Sequence, residues 1–338
     1  MPSIRDVAKA AGVSSATVSR SLSGSGGVTA ETRAHVLHVA QRLGYERRTV
    51  PRPSDSMVGL ALGLVVPDLL NPFYASLVKG IERRARSSGL FCVVADTAED
   101  VLQERRLLEQ FVDVLDGVVV ASPRGADTLL QMLAERAKIV LVNREVDGVP
   151  SVVSDLFDGT RQLLQHVVAL GHQRVGYAGG PPSSWSDRVR REALRDLPDT
   201  YGTGKVTIVD LGSFRPSHGG GVAAADAAVA ASVSAVIAFN DQLAMGILSR
   251  LSDRGIAVPA DMSITGFDDI PMARLLAPAL TSTAVPAVWI GERAVEMLMT
   301  EGELAACERV KVPVELMVRG STALYRSGTA SGNEAVGL

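Results

Sequence analysis

From Val58 onward the chain alternates continuous apolar runs with amphipathic segments, and few folds tolerate that pattern. The runs "VGLALGLVV", "LFCVVAD", "GVVVA" and "KIVLV" are separated by helical periodicity near 72–89, 99–114 and 125–136. Strands without polar alternation are buried on both faces, which predicts a parallel sheet covered by helices. A second series, "RVGYAG", "KVTIVD", "AVIAF" and "MSITGF", is separated by helices near 158–170, 185–197, 217–231 and 240–254. Two doubly wound α/β lobes are therefore expected over 58–326. At 338 residues with 46% hydrophobic content, the chain has enough apolar surface for them and a further small domain.

That small domain is expected at residues 1–46. Ser3 and Asp6 form a capping-box-like pair ahead of Ile4, Val7, Ala8 and Ala11 at helical spacing. Gly12 makes a turn, Ser14 caps a second helix, and Thr29 opens a third that carries Val36, Leu37, Ala40 and Leu43 and closes at Gly44. The second helix is short of apolar surface: Val18 and Leu22 face its neighbours, while Ser15, Ala16, Ser19 and Arg20 face outward. Charge follows the same division. Residues 1–56 hold seven Arg and one Lys against two Asp and two Glu, a net +4, and the remainder carries −7 within a total of −3. A basic helix-turn-helix with a polar outer face suits the major groove of double-stranded DNA.

The stretch "DVAKAAGVSSATVSRSLSGSGGVTAETRAHVLHVAQRLGY" resembles the DNA-binding head of the LacI/GalR family of bacterial transcription regulators. The body resembles that family's effector-binding region, itself similar to periplasmic sugar-binding proteins, through "LVVPDLLNPFYASLVKGIE", "LGHQRVGYAGGP", "AVIAFNDQLAMGIL", "VPADMSITGFDDIP" and "APALTST". The resemblance implies a homodimeric, ligand-responsive regulator, a repressor, bound to a pseudo-palindromic operator in the cytoplasm. It places Ser15, Ala16 and Arg20 against base edges, with Thr17 and Ser19 in the same DNA-facing set. It also implies that the chain returns to the first lobe near Pro286, giving a first lobe of about 58–156 plus that returning segment and a second of about 157–285.

Open α/β lobes bind ligands at the carboxyl ends of their strands, here between the lobes. The strand-to-helix junctions supply Asn71, Phe73 and Tyr74, then Arg188, Asn240 and Asp268, with Phe214 as an aromatic cover for an apolar ligand face. Arg188 and Asp268 match segments in which the family grips its effector. Other roles compete: Phe73 and Tyr74 also suit core packing, Asn240 suits a helix N-cap, and Asp269 reads as structural.

Two departures from the family pattern stand out. Leu156 follows Asp155 where the family often carries Asn or Asp, which suggests a less hydroxylated effector or a sugar read through fewer hydroxyls. The linker 47–57 carries Pro51 and Pro53, lacks a Leu, and is about four residues short of a hinge helix. An extended basic strap bearing Arg47, Arg48 and Arg52 is expected there instead. The tail 327–338 is small and polar, reads as mobile, and has no apolar heptads, so dimers are expected to be the largest species.

Enzyme signatures are missing. "GGPPSS" lacks dinucleotide-loop spacing, no P-loop or G-x-S-x-G elbow occurs, the five His are scattered, and Cys92 and Cys307 lack metal-ligand spacing. His172 reads as ordering a turn. No cofactor, metal, catalytic residue or membrane partner is expected. A solute-binding protein or a cleft enzyme without a DNA role is the alternative.

Overall fold

Among the described residues twelve strands follow one another: β1 (Ala61–Val66), β2 (Phe91–Asp96), β3 (Gly117–Ala121), β4 (Ile139–Val142), β5 (Ser151–Ser154), β6 (Arg174–Gly179), β7 (Thr207–Ser213), β8 (Ala235–Ala238), β9 (Ser263–Asp268), β10 (Thr281–Ala284), β11 (Arg309–Val312) and β12 (Glu315–Met317). They form two six-stranded sheets, ordered β11-β5-β4-β3-β1-β2 and β12-β10-β9-β8-β6-β7. All neighbours are parallel except β10 and β12. The structure is a computed structural model and describes residues 4–15, 17, 18, 21, 28–43, 61–197, 206–300 and 308–326.

Parallel strands need crossovers, and helices provide them. In the first half these are α3 (Pro72–Ser87), α4 (Val101–Val114) and α5 (Asp127–Ala134). In the second they are α6 (Leu156–Ala169), α7 (Trp185–Asp196), α8 (His218–Ala230) and α9 (Asp241–Asp253). After β10 the chain goes back to the first sheet: α10 (Ala287–Met299) packs on α3, and β11 pairs with β5. It then crosses once more, so β12 closes the second sheet. The α3–α10 contact is close because glycine stands at both touching points. A Cβ on Gly80 would meet the Val288 carbonyl oxygen, and one on Gly291 would lie 2.5 Å from the Leu77 carbonyl oxygen.

The central strands are buried on both faces, as their apolar runs predict. β2 departs from that expectation. It is an edge strand, and Phe91 is 62% exposed with Val93 and Val94 also open to solvent. Periodicity detects an apolar strand but not which edge of the sheet it will occupy.

The chain divides into two compact units, 1–58 and 59–338. The N-terminal unit has α1 (Ile4–Ala11), a helical stretch at residues 15, 17, 18 and 21, and α2 (Ala30–Arg42). Gly12 turns the chain with φ +64°, Ser14 Oγ accepts the Thr17 N–H at 3.1 Å, and Thr29 Oγ1 accepts the Thr32 N–H at 3.3 Å. Its core is Val7, Ala8, Ala11, Val18, Val36, Val39 and Ala40. Head and lobes match the expected fold class. The Ser3 cap, Leu22, the linker 47–57 and the tail 327–338 lie outside the described residues.

Candidate functional site

In each sheet the strand order reverses once along the chain, between β1 and β3 and between β6 and β8. Crossovers depart to opposite faces at such a point and leave a crevice at the strands' carboxyl ends. The two crevices face each other across a narrow cleft. The first lobe lines it with Asp68, Asn71, Phe73 and Tyr74 after β1, Glu99 after β2, Ser122 and Arg124 after β3, and Asn143 after β4. The second contributes Ser184, Ser186 and Arg190 after β6, Pro216 after β7, Phe239 and Asn240 after β8, and Asp268 at the end of β9.

Arg190 dominates the second wall. It is 3% exposed, its Nη1 donates to the Phe239 carbonyl oxygen at 2.6 Å, and its buried Nε has no partner. Its guanidinium carbon stands 4.7 Å from the Phe239 ring centroid and 3.9 Å from that of Phe267. The rings hold the plane of the cation, and no carboxylate forms an ion pair with it among the described residues. What remains is a rigid donor fork facing the cleft, suited to paired acceptors.

Asp268 lies on the same wall, half-buried, with φ +101°. A non-glycine residue in that region stores about 1–3 kcal/mol of strain and persists only where its surroundings impose it. Burial pushes its carboxyl up to about 7, and the field of Arg190 opposes that rise. Behind it Asp241 is fully buried, accepting Ser282 Oγ–H at 2.6 Å and the Ile270 N–H at 2.8 Å. Burial, reinforced by the nearby charge of Asp268, holds Asp241 well above the ordinary carboxylate range. Asp269 turns away to Arg319, at 2.7 Å, and Arg274.

On the first wall Arg124 donates from Nε and Nη2 to the two carboxylate oxygens of Glu99, at 2.8 and 3.1 Å. The loop carrying Arg124 is pinned from beneath, because buried Glu104 accepts the backbone N–H groups of Arg124 and Gly125 at 2.7 Å each. Tyr74 packs edge-on against Phe73, with centroids 5.2 Å apart, and burial pushes its hydroxyl up to about 12. Ser122 hydrogen-bonds to that hydroxyl. Glu99, Ser122 and Asn143 all have positive φ. The strand ends on this wall are bent to aim side chains rather than to relax.

Of the residues expected from sequence, Asn71, Phe73, Tyr74, Asn240 and Asp268 meet in this cleft. Asn71 and Asn240 also cap α3 and α9, accepting N–H groups of Phe73 and Leu243 at 3.0 Å each, so their amide NH2 groups are left as donors. Two residues do not join them. Arg188 is exposed on α7 and does not line the cleft; Arg190 does. The two are about 200° apart around the helix, on opposite sides. Phe214 packs partly against the core beside β7 and does not line the cleft; on the second wall the aromatic there is Phe239. Leu156 is the buried first residue of α6 and does not line this cleft, so it gives no reason to expect a less polar ligand there. Arg124, Glu99 and Asn143 were not legible as site residues. Arg190 had a signal: it shares helical spacing with Ala193, Leu194 and Leu197, an arginine on an apolar stripe.

In the N-terminal unit Ser15 is exposed and Thr17 half-exposed, its hydroxyl 2.9 Å from that of Ser14. Ala16, Ser19, Arg20, Arg47, Arg48 and Arg52 lie outside the described residues. Among the described residues no helix is long and apolar enough to cross a membrane. None of them form a His/Cys/Asp/Glu group suited to a metal.

Residues 3–48 match the family model "Bacterial regulatory proteins, lacI family", and 164–322 match "Periplasmic binding protein-like domain". The chain is 32% identical over 305 residues to the HTH-type transcriptional regulator GalS of Salmonella typhimurium, covering 88% of this chain and 89% of that one. It is 30% identical over 329 residues to the ribose operon repressor of Bacillus subtilis, covering 95% and 99%. Among solved structures, the complex of the transcriptional regulator CelR with cellobiose superposes with a TM-score of 0.70 at 27% identity, covering 95% of this chain and all of that one. These relatives are regulators of transcription and not enzymes, and the chain belongs to the LacI family of bacterial transcription regulators.

Proposed function

We propose that this protein is a repressor that binds a pseudo-palindromic operator as a homodimer and responds to a sugar or closely related polyol held in the inter-lobe cleft. The observation that carries the reading is the placement of Arg190, a clamped donor fork, beside Asp268, an acceptor, in a cleft that also presents Asn, Ser and Tyr side chains, the Arg124–Glu99 pair and the rings of Phe73 and Phe239. Vicinal hydroxyls both donate and accept, and they match such a pair without requiring charge. The cellobiose bound by CelR and the operon named for the B. subtilis relative point to the same ligand class. Two-fold DNA symmetry asks for a two-fold protein, and the exposed apolar edge at Phe91, Val93 and Val94 offers a second copy a surface to cover. The effector shifts operator affinity only by binding one lobe arrangement better than the other, a coupling of typically about 1–3 kcal/mol.

The test has two steps. Operator DNA is recovered by sequencing genomic fragments bound by the protein, and an effector is found by thermal-shift screening of sugars that include ribose, galactose and cellobiose. Operator titrations then compare wild type with Arg190→Ala. The variant is expected to bind operator while ignoring the sugar. A variant that responds as the wild type does places the effector outside this cleft.

A further inference from the structure

A second cavity, of about 440 Å³, opens at the hinge and shares only Phe73 and Asp268 with the effector cleft. Its size falls within the range of small-molecule sites, about 300–1,000 Å³. Three parts of the fold build it: α3, the first turn of α10, and the Ile270–Pro271 corner that follows β9. The walls are mostly apolar. Trp289 is 47% exposed there beside Val288 and Pro286. Leaving so large an aromatic half in water brings the fold no burial, but it does provide a flat apolar surface.

Its charged groups are not equivalent. Glu292 pairs with Arg83, and Asp269 is held by Arg319 and Arg274. Asp268 alone among the lining carboxylates has no ion-pair partner among the described residues. A carboxylate without an ion pair at one end of a largely apolar slot, with a tryptophan face beside it, suits a compact organic cation.

We propose that this hinge cavity is a second ligand site, adjoining the effector cleft at Asp268, for a small cation carrying an apolar ring, of the arylalkylamine class. The ring lies against Trp289 and Pro271, and the ammonium reaches Asp268. Because α3 and α10 belong to the first lobe and Ile270–Pro271 to the second, an occupant touches both lobes at their pivot. It thereby favours one lobe angle over others.

Trp185 and Trp289 are the only tryptophans, so Trp185→Phe leaves Trp289 as the sole reporter in the full-length protein. Benzylamine, benzyl alcohol and benzoate serve as probes of matched size and different charge. Benzylamine is expected to change Trp289 emission saturably, with an affinity at least tenfold above that of either other probe. Val288→Arg, at a partly exposed position, should weaken benzylamine at least tenfold while operator binding persists. The proposal is overturned if no probe saturates, if benzyl alcohol or benzoate matches benzylamine, or if Val288→Arg leaves benzylamine binding unchanged. It is also overturned if acrylamide fails to quench Trp289 in the native protein, because another chain then covers the cavity. The readout involves neither operator nor sugar, so it stands or falls separately from the repressor reading.

Discussion

The guanidinium of Arg190 lies against the ring of Phe267, 3.9 Å from its centroid, immediately before Asp268 in the chain. One residue of β9 therefore orients the donor and the next supplies the acceptor. Replacing Arg190 by Ala removes charge-assisted hydrogen bonds worth about 1.5–3 kcal/mol each, so sugar affinity should fall roughly 10- to 150-fold per bond lost. Arg188→Ala, on the exposed face of the same helix, should leave it within twofold. Calorimetric titration of both variants with the identified sugar decides the matter; equal losses would contradict the geometry.

Asp268 should make stability depend on pH in an unusual direction. Its carboxyl titrates at about 7 in the folded chain against the ordinary 3.8, so the folded state holds a proton that the unfolded state has released between those values. Stability from this group is fully present below the ordinary carboxylate range and is lost as pH rises through about 7. Urea denaturation of Asp268→Asn and wild type should show the variant gaining relative stability from pH 5 to pH 8. A constant difference across that range would remove the claim.

His172 acts in the opposite direction. Its ring lies 2.9 Å from Ser234 Oγ through Nδ1, and through Nε2 it reaches Ser263 Oγ at 3.0 Å and the Ala323 carbonyl oxygen at 3.2 Å. It thereby ties the chain's last described segment to the second lobe. Burial holds its pKa below the usual 6.5, with His166 adding to the depression, so acid must protonate a ring the fold prefers neutral. Stability should decline as pH falls below about 6.5, and His172→Ala should lose that part of the decline while costing about 1–3 kcal/mol at pH 7.5. Thermal melts at pH 5.5 and 7.5 measure both.

Gly80 and Gly219 make a matched pair of helix substitutions. A Cβ on Gly80 runs into the backbone of Val288, so Gly80→Ala must push α10 off α3 and should cost about 1–3 kcal/mol or more. Nothing stands within 4 Å of a Cβ on Gly219 in α8, and Gly219→Ala should be neutral or stabilise by about 0.4–1 kcal/mol. Denaturant midpoints check the contrast, and similar values for the two would undercut the close packing of the helix pair.

Much of the architecture was legible because local rules decide it. Continuous apolar runs such as "GVVVA" and "KIVLV" have no polar face to turn to water, and Ser14, Thr29, Asn71 and Asn240 are side chains that cap helix starts. These features act within one turn or one strand, so the sequence by itself determined the elements, the helix-turn-helix head and the two-lobe α/β class.

The cleft depended on longer-range relations. Glu99 and Arg124 become a bidentate pair only because β2 and β3 flank β1 in the sheet, and their separation in sequence carries no trace of that. Arg190 rather than Arg188 lines the cleft because Ala193, Leu194 and Leu197 draw that stripe of α7 onto the second lobe. β2 stays exposed because it ends the sheet, although its composition is that of a central strand. Periodicity records how a segment meets its nearest surface, whereas strand order and helix rotation settle only when the whole core closes, and only the tertiary structure decided those.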